Sequence, residues 1–526
     1  MLSTPPTNIL VFCTDQQRAD HLGCAGHPVL RTPHLDALAA RGVRFTNCYT
    51  SYTACMPARG SMLTGLSHRA GGMRSNGIGL PPDIPTLPGL LAAAGYRTHA
   101  VGKLHLHPWH APESIDITQW ESFRDNPERI LHWRTGAIRR SPGDYHGFQT
   151  TDLAIGHVTD MQGDYRVWLD RHHPDVAANY FPPEPAPQFR ADNGAPAWDI
   201  RGPEEAHYNH WIADRSIAFI RESDPRRPFF LWCSFPDPHA PFAALERWAK
   251  VYRDAPIILP DVAEEAVAGD LPPSLLAARG GGTAYTTRAH AYHRRMRDYY
   301  VQTFGMISHV DEQIGRVMAQ LKASGRDENT LVIFLSDHGD QLGEHGLMHK
   351  GYWPYDGNAR IPFILSGPQV AVPGRTMDRV VSLLDMVPTL LDVAGVPAPE
   401  DPQVNQRFRE QVGTLPSALP GESLRPCLLD PQALPQRGCA LFETDDEHVH
   451  STDLLQMRVL VTDEYKLCHY SPAGDMALFD RRSDPDERFN LATDPAHAAT
   501  VAAMLSRLTV EINRTEARRP RRLTNA

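Results

Sequence analysis

Four short apolar runs, each ending at charged or imidazole side chains, constrain this chain more than any other feature. The first, Asn8–Thr14 (NILVFCT), stops at Asp15. The fourth, Thr330–Ser336 (TLVIFLS), stops at Asp337 and His338. Uninterrupted apolar runs of this length are typical of strands buried on both faces of a parallel sheet. Such sheets bind ligands beyond the carboxyl ends of their strands, so the runs predict a site at one sheet edge.

The second and third runs repeat this arrangement. Tyr96–Val101 leads to Lys103 and His105. Pro228–Ser234 (PFFLWCS) leads to His239. Three helical patterns between the runs are each followed by a glycine, which is a helix stop signal: Leu35–Ala40, Leu87–Ala94 and Val310–Ser324. Strands that alternate with helices predict an α/β fold with a mixed, mostly parallel central sheet flanked by helices.

Changes in composition divide the chain into three predicted parts. Residues 1–396 carry the strand and helix pattern of a catalytic α/β domain, and 108–202 have little periodicity, which indicates loops inserted over the site. The proline-rich stretch 397–435 is typical of a linker. Residues 436–526 predict a small α+β subdomain with a basic tail. Its predicted strands and helix are Val459–Tyr470, Ala477–Asp480 and Ala498–Ile512.

Charge and composition narrow the partners of the chain. A formal net charge of −10 argues against nucleic acid, because phosphate backbones are bound by basic surfaces. Residues 1–7 lack a basic segment followed by an apolar one, and no long uncharged apolar run occurs later. We therefore expect a cytoplasmic protein with no membrane span. The eight cysteines form no CxxC pair, which favours free thiols.

One cysteine stands at a predicted helix start. In Cys55–Arg59 (CMPAR), Pro57 suits the first turn of a helix. A helix N-terminus and a nearby arginine favour negative charge on the sulfur. A cysteine taken alone is more often a small buried apolar residue, so its neighbours decide its interpretation.

Those neighbours resemble the sulfatase family. Cys55–Arg59 resembles the family's formylglycine signature, Cys-x-Pro-x-Arg. Four further segments resemble family motifs and occur in the family's order: Asp15-Gln16, Gly102–His105 (GKLH), Pro238–Phe242 (PHAPF) and Ser336–Gly339 (SDHG). The run from Leu478 to Leu491 is also similar to the ending of bacterial sulfatases, arylsulfatases among them, and of the related phosphonate monoester hydrolases. The resemblance implies an alkaline-phosphatase-like fold and a sulfuric ester hydrolase that cleaves a sulfate monoester.

The resemblance also implies roles for named residues. A formylglycine-generating enzyme would oxidise Cys55 to formylglycine, whose hydrate attacks sulfur, with Arg59 as its hydrogen-bond partner. The implied ligands of one divalent metal, Ca²⁺ or Mn²⁺, are Asp15, Gln16, Cys55, Asp337 and His338. The implied catalytic residues are Cys55, Arg59, Lys103, His105, His239 and Lys350. The implied substrate-binding residues are Asn76, Lys103, His239 and Lys350.

Within these sets the chemistry differs from residue to residue. Lys103 and Lys350 would hold the sulfate oxygens, His239 would protonate the leaving group, and His105 would act as a base or positioning partner. From sequence alone, a single aspartate is as often a helix cap or ion-pair partner as a metal ligand. A lysine is usually a solvated surface charge, and Asn76 is more typical of a turn residue than of a substrate contact.

Three departures from the common family pattern keep alternatives open. Gln16 replaces a second aspartate, Ala58 replaces a serine or threonine, and His338 replaces a frequent asparagine. An amide and an imidazole weaken the case for calcium and favour manganese or another transition metal. The Asp15-Gln16 and Asp337-His338 pairs resemble those of phosphonate monoester hydrolases and of choline-sulfatase-like enzymes. Hydrolysis of phosphonate monoesters or phosphodiesters is therefore the first alternative.

Two alternatives come from other classes. The chain could be an inactive protein that binds sulfated ligands, in which case Cys55 remains a thiol. A two-metal phosphatase would need a second ligand set, which the sequence does not assemble. The sequence is also compatible with a homo-oligomer and does not identify the alcohol of the substrate.

Overall fold

The computed structural model of the chain describes residues 7–110, 126–180, 197–260, 273–274, 295–399, 419–445 and 455–516. The described strands are β1 Asn8–Thr14, β2 Gly42–Tyr49, β3 Arg97–Gly102, β4 Thr150–Ile155, β5 Gln162–Gly163, β6 Ala197–Ile200, β7 Phe229–Ser234, β8 Phe242–Leu245, β9 Thr330–Ser336, β10 Arg360–Ser366, β11 Arg375–Met377, β12 Val381–Ser382, β13 Cys439–Asp445, β14 Gln456–Thr462, β15 Tyr465–Ser471 and β16 Met476–Asp480. The described α-helices are α1 Pro33–Ala40, α2 Cys55–Thr64, α3 Leu87–Ala93, α4 Ile130–Arg134, α5 Asp164–His172, α6 Pro174–Tyr180, α7 Tyr208–Glu222, α8 Glu246–Lys250, α9 Met296–Ala323, α10 Asp356–Ala359, α11 Met386–Ala394, α12 Arg425–Leu429 and α13 Ala498–Thr515.

A ten-stranded sheet organises the larger part of the molecule. Its strand order is β11-β2-β10-β9-β1-β7-β3-β4-β5, with β12 beside β2. The five neighbours β9, β1, β7, β3 and β4 run parallel, whereas β10 and β5 are antiparallel to their neighbours. This confirms the predicted mixed, mostly parallel sheet, and it brings the carboxyl ends of five strands to one edge.

Burial on both faces explains the uninterrupted apolar runs. Successive side chains of a strand point to opposite faces, so Leu10 and Phe12 of β1 join a core with α7 and α9. Ile9, Val11 and Cys13 join a second core with α2, α3 and α11. All five side chains are fully buried, which stabilises the strand from which Asp15 projects.

Part of the predicted loop region 108–202 is regular structure, so that interpretation is wrong there. The segment contributes β4, which pairs in parallel with β3, together with α4, α5 and α6. Apolar residues of β4 occupy only its last three positions, because the strand lies near the sheet edge and its first residue is exposed. Residues 111–125 and 181–196 of that region lie outside the described residues.

Several predicted boundaries also move. The predicted helix Val310–Ser324 is the second half of α9, which begins at Met296. The predicted strand Val459–Tyr470 is a hairpin, β14 and β15, because Asp463 and Glu464 form a tight connection. In the predicted linker, 400–418 lie outside the described residues, while α12 packs into the same core as α2.

The C-terminal part is a small α+β unit, as predicted. Strands β13 to β16 form an antiparallel sheet, and α13 covers one of its faces. The opposite face packs on Tyr49 and Trp353 of the larger part. Residues 517–526, which include most of the predicted basic tail, lie outside the described residues. No helix in the described ranges is long and apolar enough to span a bilayer.

Replacing Arg437 with methionine is expected to lower the free energy of unfolding by about 3–5 kcal/mol at pH 8, because two buried carboxylates lose their cation. Arg437 lies 2.9 Å from Glu511 on α13 and 3.6 Å from Asp385, which precedes α11. Burial raises the pKa of Asp385 to about 6, against the opposing effect of Arg437. The stabilising contribution of such a carboxyl group is complete below about pH 4 and is lost as pH rises through about 6.

The loss in this variant should therefore be smaller at pH 5 than at pH 8, since protonated Asp385 needs no cation. Urea unfolding at both pH values measures the difference. Arg482→Met removes an arginine whose side chain is 69% exposed and should cost less than about 0.5 kcal/mol. Equal losses at pH 5 and pH 8 would contradict the role given to Asp385.

Candidate active site

Cys55 occupies the first position of α2, and all ten residues of this helix are buried. No side chain of α2 or its N-cap residue caps the helix start. Asn76 supplies that contact instead, since its Oδ1 accepts a hydrogen bond from the Met56 amide at 3.1 Å. The tertiary fold thus places a buried sulfur at a helix N-terminus, where negative charge is favoured. Whether Asn76 also binds substrate stays a prediction.

Three kinds of side chain surround the sulfur. Its Sγ lies 2.8 Å from Lys350 Nζ, 3.2 Å from His338 Nε2 and 3.5 Å from Asp15 Oδ1. Burial and Asp15 would raise the pKa of the thiol, but Lys103 and Lys350 outweigh them, and the pKa lies below its ordinary value. The position therefore stabilises an anion.

The ends of two adjacent strands supply the carboxylates. Asp15 follows β1 and Asp337 follows β9, and both are fully buried. Asp337 Oδ1 accepts hydrogen bonds from the amides of Gln16 at 3.0 Å and His338 at 2.9 Å. Its Oδ2 accepts from Arg59 Nε at 2.8 Å. Parallel pairing of β1 with β9 explains why residues more than 300 positions apart meet here.

The donor atoms of this cluster fit a divalent cation. Ligand atoms of Asp15, Cys55, Asp337 and His338 all lie within 4.8 Å of one another. The two carboxylates are suitable ligands for Ca²⁺ or Mn²⁺, and the imidazole is a suitable ligand for Mn²⁺. The amide of Gln16 lies beside them, with its Oε1 at 3.2 Å from Lys350 Nζ. Four predicted ligands are therefore brought together, and Gln16 is adjacent to them.

Two buried or half-buried lysines face the same space. Lys103 Nζ contacts Asp15 Oδ2, lies 3.2 Å from His157 Nε2 and stands over the ring of Trp109. Burial would lower the pKa of Lys350, but Cys55 and Asp15 raise it above its ordinary value. Burial would likewise raise the pKa of Asp15, and the neighbouring cations, led by Lys103, hold it well below its usual range. Lys350 is therefore charged, and both lysines already face anionic partners.

The two predicted histidines differ in their contacts. His239 Nε2 lies 2.7 Å from Lys350 Nζ, and its Nδ1 lies 2.5 Å from the Ala240 carbonyl oxygen. His105 instead stacks on Trp109 with ring centroids 3.8 Å apart. Among the described residues, no hydrogen bond joins the ring of His105 to Cys55. Burial and Lys103 lower the pKa of His105 well below its ordinary value, so it is a neutral imidazole.

Three residues that the sequence interpretation missed belong to this site. His157 follows β4 and stacks on His239 at 3.6 Å. Asp340 accepts a hydrogen bond from Gln16 Nε2 at 2.5 Å, and Glu128 binds the segment that carries His105. The signal for His157 was present, since Leu153–Ile155 is a short apolar run followed by a glycine and a histidine. Recognising β4 as a strand would have identified His157 as a polar residue just past the carboxyl end of a strand.

A second group of donors bears on the two-metal alternative. Ligand atoms of Asp15, His157 and His239 also lie within 4.8 Å of one another. The ammonium groups of Lys103 and Lys350 already contact these same atoms. A second cation would have to displace both lysines, so the arrangement favours a single metal flanked by two fixed ammonium groups.

Comparison with known proteins agrees with this geometry. The profile of the Sulfatase family matches residues 7–396, which is about three quarters of the chain. The chain belongs to the sulfatase family. The family implies a divalent metal, and the buried donor cluster has the composition to hold one.

Similar proteins extend over nearly the whole of this sulfatase. An arylsulfatase of Clostridium perfringens is 27% identical over 499 residues, covering 92% of this chain and 90% of its own. The multifunctional alkaline phosphatase superfamily protein PehA of Trinickia caryophylli is 29% identical, with 94% and 93% covered. The crystal structure of a phosphonate monoester hydrolase of Agrobacterium radiobacter superposes with a TM-score of 0.72 at 24% identity, with 97% and 96% covered.

Replacing Glu128 with glutamine in this sulfatase is expected to lower both its activity and its stability. The buried carboxylate accepts hydrogen bonds from the amides of His105 and Leu106 at 2.6 and 2.8 Å and from the Tyr145 hydroxyl at 2.8 Å. Burial raises its pKa against these hydrogen bonds. Glutamine offers one acceptor oxygen and turns an NH₂ group toward the remaining donors, which costs about 1–3 kcal/mol per unsatisfied group.

We expect the free energy of unfolding to fall by about 2–3 kcal/mol and kcat to fall about tenfold, because the loop that carries His105 loses its anchor. Urea unfolding and steady-state kinetics measure the two effects. Glu328→Gln changes an exposed carboxylate on another surface and should leave both values unchanged. Normal stability and kcat in Glu128→Gln would show that the anchor is dispensable.

Proposed function

We propose that this sulfatase hydrolyses a sulfate monoester by using a formylglycine derived from Cys55 and one divalent metal. The observation that carries the proposal is the position of Cys55. Its Sγ lies 2.8 Å from the ammonium of Lys350 and within 4.8 Å of the donor atoms of Asp15, Asp337 and His338. A nucleophile at this position lies close both to a cation and to the candidate metal ligands.

The charges of the site suit a sulfuryl group. Arg59, Lys103 and Lys350 contribute three cations, and Asp15 and Asp337 contribute two carboxylates. A bound divalent metal would increase the positive charge further. A sulfate monoester has three unsubstituted oxygens that share its negative charge, so several fixed cations can bind it at once. Cations placed before the reaction also stabilise charge that shifts onto the leaving oxygen.

Formylglycine would supply the attacking hydroxyl group as an aldehyde hydrate, and the metal would polarise the ester and favour the ionised hydroxyl. Arg59 is fixed for its part in this. Its Nε binds Asp337, and its Nη1 donates to Ser234 Oγ and to the Lys103 carbonyl oxygen at 3.0 Å each. The remaining Nη2 is buried without a hydrogen bond among the described residues and lies 3.7 Å from Asp15.

Proton transfer to the leaving group is assigned to His239. The short contact between its Nδ1 and the Ala240 carbonyl fixes the proton on Nδ1 and leaves a lone pair on Nε2 facing Lys350. Lys350 can transfer a proton to that lone pair, and the resulting Nε2–H of His239 can pass a proton to an alkoxide that departs beside it, which leaves Lys350 as a neutral amine until water reprotonates it. His105 is assigned a positioning role, since its ring lies on Trp109 rather than against Cys55.

The metal is proposed to be Mn²⁺ rather than Ca²⁺. Only two of the candidate donors are carboxylates, and His338 contributes an imidazole nitrogen, which calcium binds poorly. Asp340 supports Gln16 as a neutral oxygen donor, because it accepts from Nε2 and so fixes the orientation of the amide, whose Oε1 accepts from Lys350 beside Cys55. Metal analysis of the purified protein, followed by reconstitution with each ion, tests this choice.

A phosphonate monoester or phosphodiester hydrolase is the second candidate function. The Gln16 and His338 pair favours it, and so does the similarity in fold to a phosphonate monoester hydrolase. The number of cations in the site argues against this second function. The site has three cations, whereas a phosphodiester has only two unsubstituted oxygens to bind them, and a methyl or phenyl phosphonate monoester likewise has two.

Parallel assays decide between the two. The protein is produced together with a formylglycine-generating enzyme, and conversion of Cys55 is measured by mass spectrometry. The same preparation is then assayed with 4-nitrophenyl sulfate, 4-nitrophenyl phenylphosphonate and bis(4-nitrophenyl) phosphate. We expect the largest kcat/KM for the sulfate. A kcat/KM more than about tenfold larger for either phosphorus ester would reject the proposed function.

A further inference from the structure

His157 is the one histidine of the site that neither the family motifs nor the proposed mechanism uses. It follows β4 at the same sheet edge as the other functional residues. Its Nε2 lies 3.2 Å from Lys103 Nζ, and its ring lies parallel to that of His239, with centroids 3.6 Å apart and an angle of 12° between the planes. One imidazole therefore touches both a sulfate-binding cation and the proposed proton donor.

The contact with Lys103 defines the state of the ring. An ammonium group has three donors and no lone pair, so His157 Nε2 accepts this hydrogen bond and the ring proton is on Nδ1. Burial and the neighbouring His239 and Lys103 lower the pKa of His157 well below its ordinary value. The imidazole is thus neutral. Its Nδ1 is buried and has no hydrogen bond among the described residues, so the hydrogen bond of the ring in that part of the chain is the one to Lys103.

The stacking contact between His157 and His239 also restricts the rotation of the His239 ring. Stacked rings 3.6 Å apart prevent either ring from turning about its χ2 axis. His239 is held in its plane on one face by this stack and at its edge by Ala240, while Lys350 meets its Nε2. The result is two parallel pairs, Lys103 with His157 and Lys350 with His239, that line one side of the site.

We propose that His157 is a positioning residue with two separable functions: its Nε2 holds the ammonium of Lys103 toward the sulfate, and its ring face holds the imidazole of His239 against the leaving group. The inference rests on the proposed function, because it assigns Lys103 to the sulfuryl oxygens and His239 to the leaving oxygen. The two functions predict different dependences on the leaving group, since only the second concerns the departing oxygen.

Two substitutions separate these functions. His157→Phe keeps a flat ring for His239 but removes the acceptor for Lys103. His157→Gln keeps an acceptor oxygen at a similar reach but removes the ring face. His110→Phe, which changes a neighbouring histidine whose side chain is 66% exposed, is the control. Thermal unfolding and the formylglycine content of each variant are measured first, so that only folded and converted protein is compared.

Kinetics with aryl sulfates of decreasing leaving-group acidity test the assignment. For His157→Phe we expect kcat/KM to fall about tenfold for every ester, because electrostatic stabilisation of the sulfuryl group is weakened. For His157→Gln we expect a fall of less than about twofold with 4-nitrophenyl sulfate and about tenfold with phenyl sulfate, whose leaving group needs a proton. Equal losses for all esters in both variants would overturn the division of function.

A double-mutant cycle tests the contact itself. Lys103→Met removes the ammonium, so adding His157→Phe should cost less than about twofold more, whereas independent residues give additive effects. Additive losses would overturn the proposal. A variant that fails to fold is replaced by a measurement on the wild-type chain, in which histidine ¹⁵N spectra report the tautomer. We expect His157 protonated on Nδ1, with an Nε2 signal that shifts in Lys103→Met.

These outcomes remain distinct from failure of the proposed function. If the converted wild-type protein hydrolyses no sulfate ester but cleaves 4-nitrophenyl phenylphosphonate, the sulfatase proposal fails, and the same variants are compared on phosphonate esters. If His157 carries its proton on Nε2 in the ¹⁵N spectra, the positioning inference fails, whatever ester the enzyme prefers.

Discussion

Cys55→Ala is expected to lower kcat for 4-nitrophenyl sulfate by on the order of 10⁴-fold or more, the largest effect of any single substitution in this chain. Alanine carries no group that can be oxidised to an aldehyde, so the nucleophile is absent. The cations and the other candidate metal ligands are unchanged, which limits the effect on substrate binding. KM is therefore expected to change by less than about fivefold, because most substrate contacts are retained.

The measurement pairs kinetics with mass spectrometry of the peptide that contains Cys55. In active protein this peptide should have the mass expected when the thiol-bearing carbon becomes an aldehyde, and activity should rise in proportion to that fraction. Cys24→Ser is the control, since Cys24 is half-buried in a short turn and is not among the residues that contact Cys55, so its replacement should leave kcat unchanged.

Two results would contradict this assignment. Full activity in protein whose Cys55 is entirely a thiol would exclude formylglycine as the nucleophile. Binding of sulfated ligands without turnover, again with an unmodified thiol, would instead support the alternative of an inactive binding protein.

Asp337→Asn is expected to have the second largest effect, because this carboxylate serves two partners at once. It is a proposed metal ligand, and its Oδ2 is also 2.8 Å from Arg59 Nε in a fully buried pair. Removing one partner of a buried ion pair leaves an uncompensated charge and costs about 3–5 kcal/mol of stability. Removing a carboxylate ligand also weakens metal binding, so kcat should fall by on the order of 10³-fold under metal-limited conditions.

Two measurements separate the structural and the metal effects. Urea unfolding in a chelator reports the loss of the pair with Arg59, and elemental analysis after dialysis reports the loss of metal. Asp486→Asn, which changes a carboxylate whose side chain is 74% exposed, is the control for both. A variant that binds the metal normally and unfolds at the wild-type urea concentration would contradict both roles.

Removing the metal from the wild-type protein gives a complementary expectation. Activity should disappear in chelator and return on addition of Mn²⁺ more fully than of Ca²⁺, because of the imidazole and amide donors. The stability lost with the metal should be smaller than in Asp337→Asn, since Arg59 and Lys103 still neutralise Asp337 and Asp15 in its absence.

Those strands and site residues that are marked by a local sequence pattern could be predicted, and those that depend on contacts between distant segments could not. The sequence predicts both ends of β1 and of β9 correctly. A strand that is buried on both faces is a continuous apolar run, so the polar residues that follow it mark its end clearly. The strand β4 was missed, because a strand near the sheet edge with a polar first half has neither a continuous apolar run nor clear alternation. Because His157 follows β4, the sequence interpretation missed His157 as well.

The site residues also divide into those marked by a local motif and those defined by long-range contacts. Asp15, Cys55 and Asp337 were recognisable because each stands in a local motif. Asp340 and Glu128 were not, because their importance depends on what they touch. Asp340 orients Gln16 from more than 300 residues away, and Glu128 binds a loop that begins 23 residues earlier.

The sequence by itself determined the type of fold, the candidate nucleophile and the set of polar residues at the ends of the buried strands, because these depend on hydrophobic patterns and short motifs. Only the tertiary structure decided which of those residues meet. The strand order β9-β1-β7-β3-β4 brings five distant segments to one edge, and it is this order that pairs Lys350 with His239 and Lys103 with His157. Strand order is a property of long-range packing, which local sequence patterns do not encode.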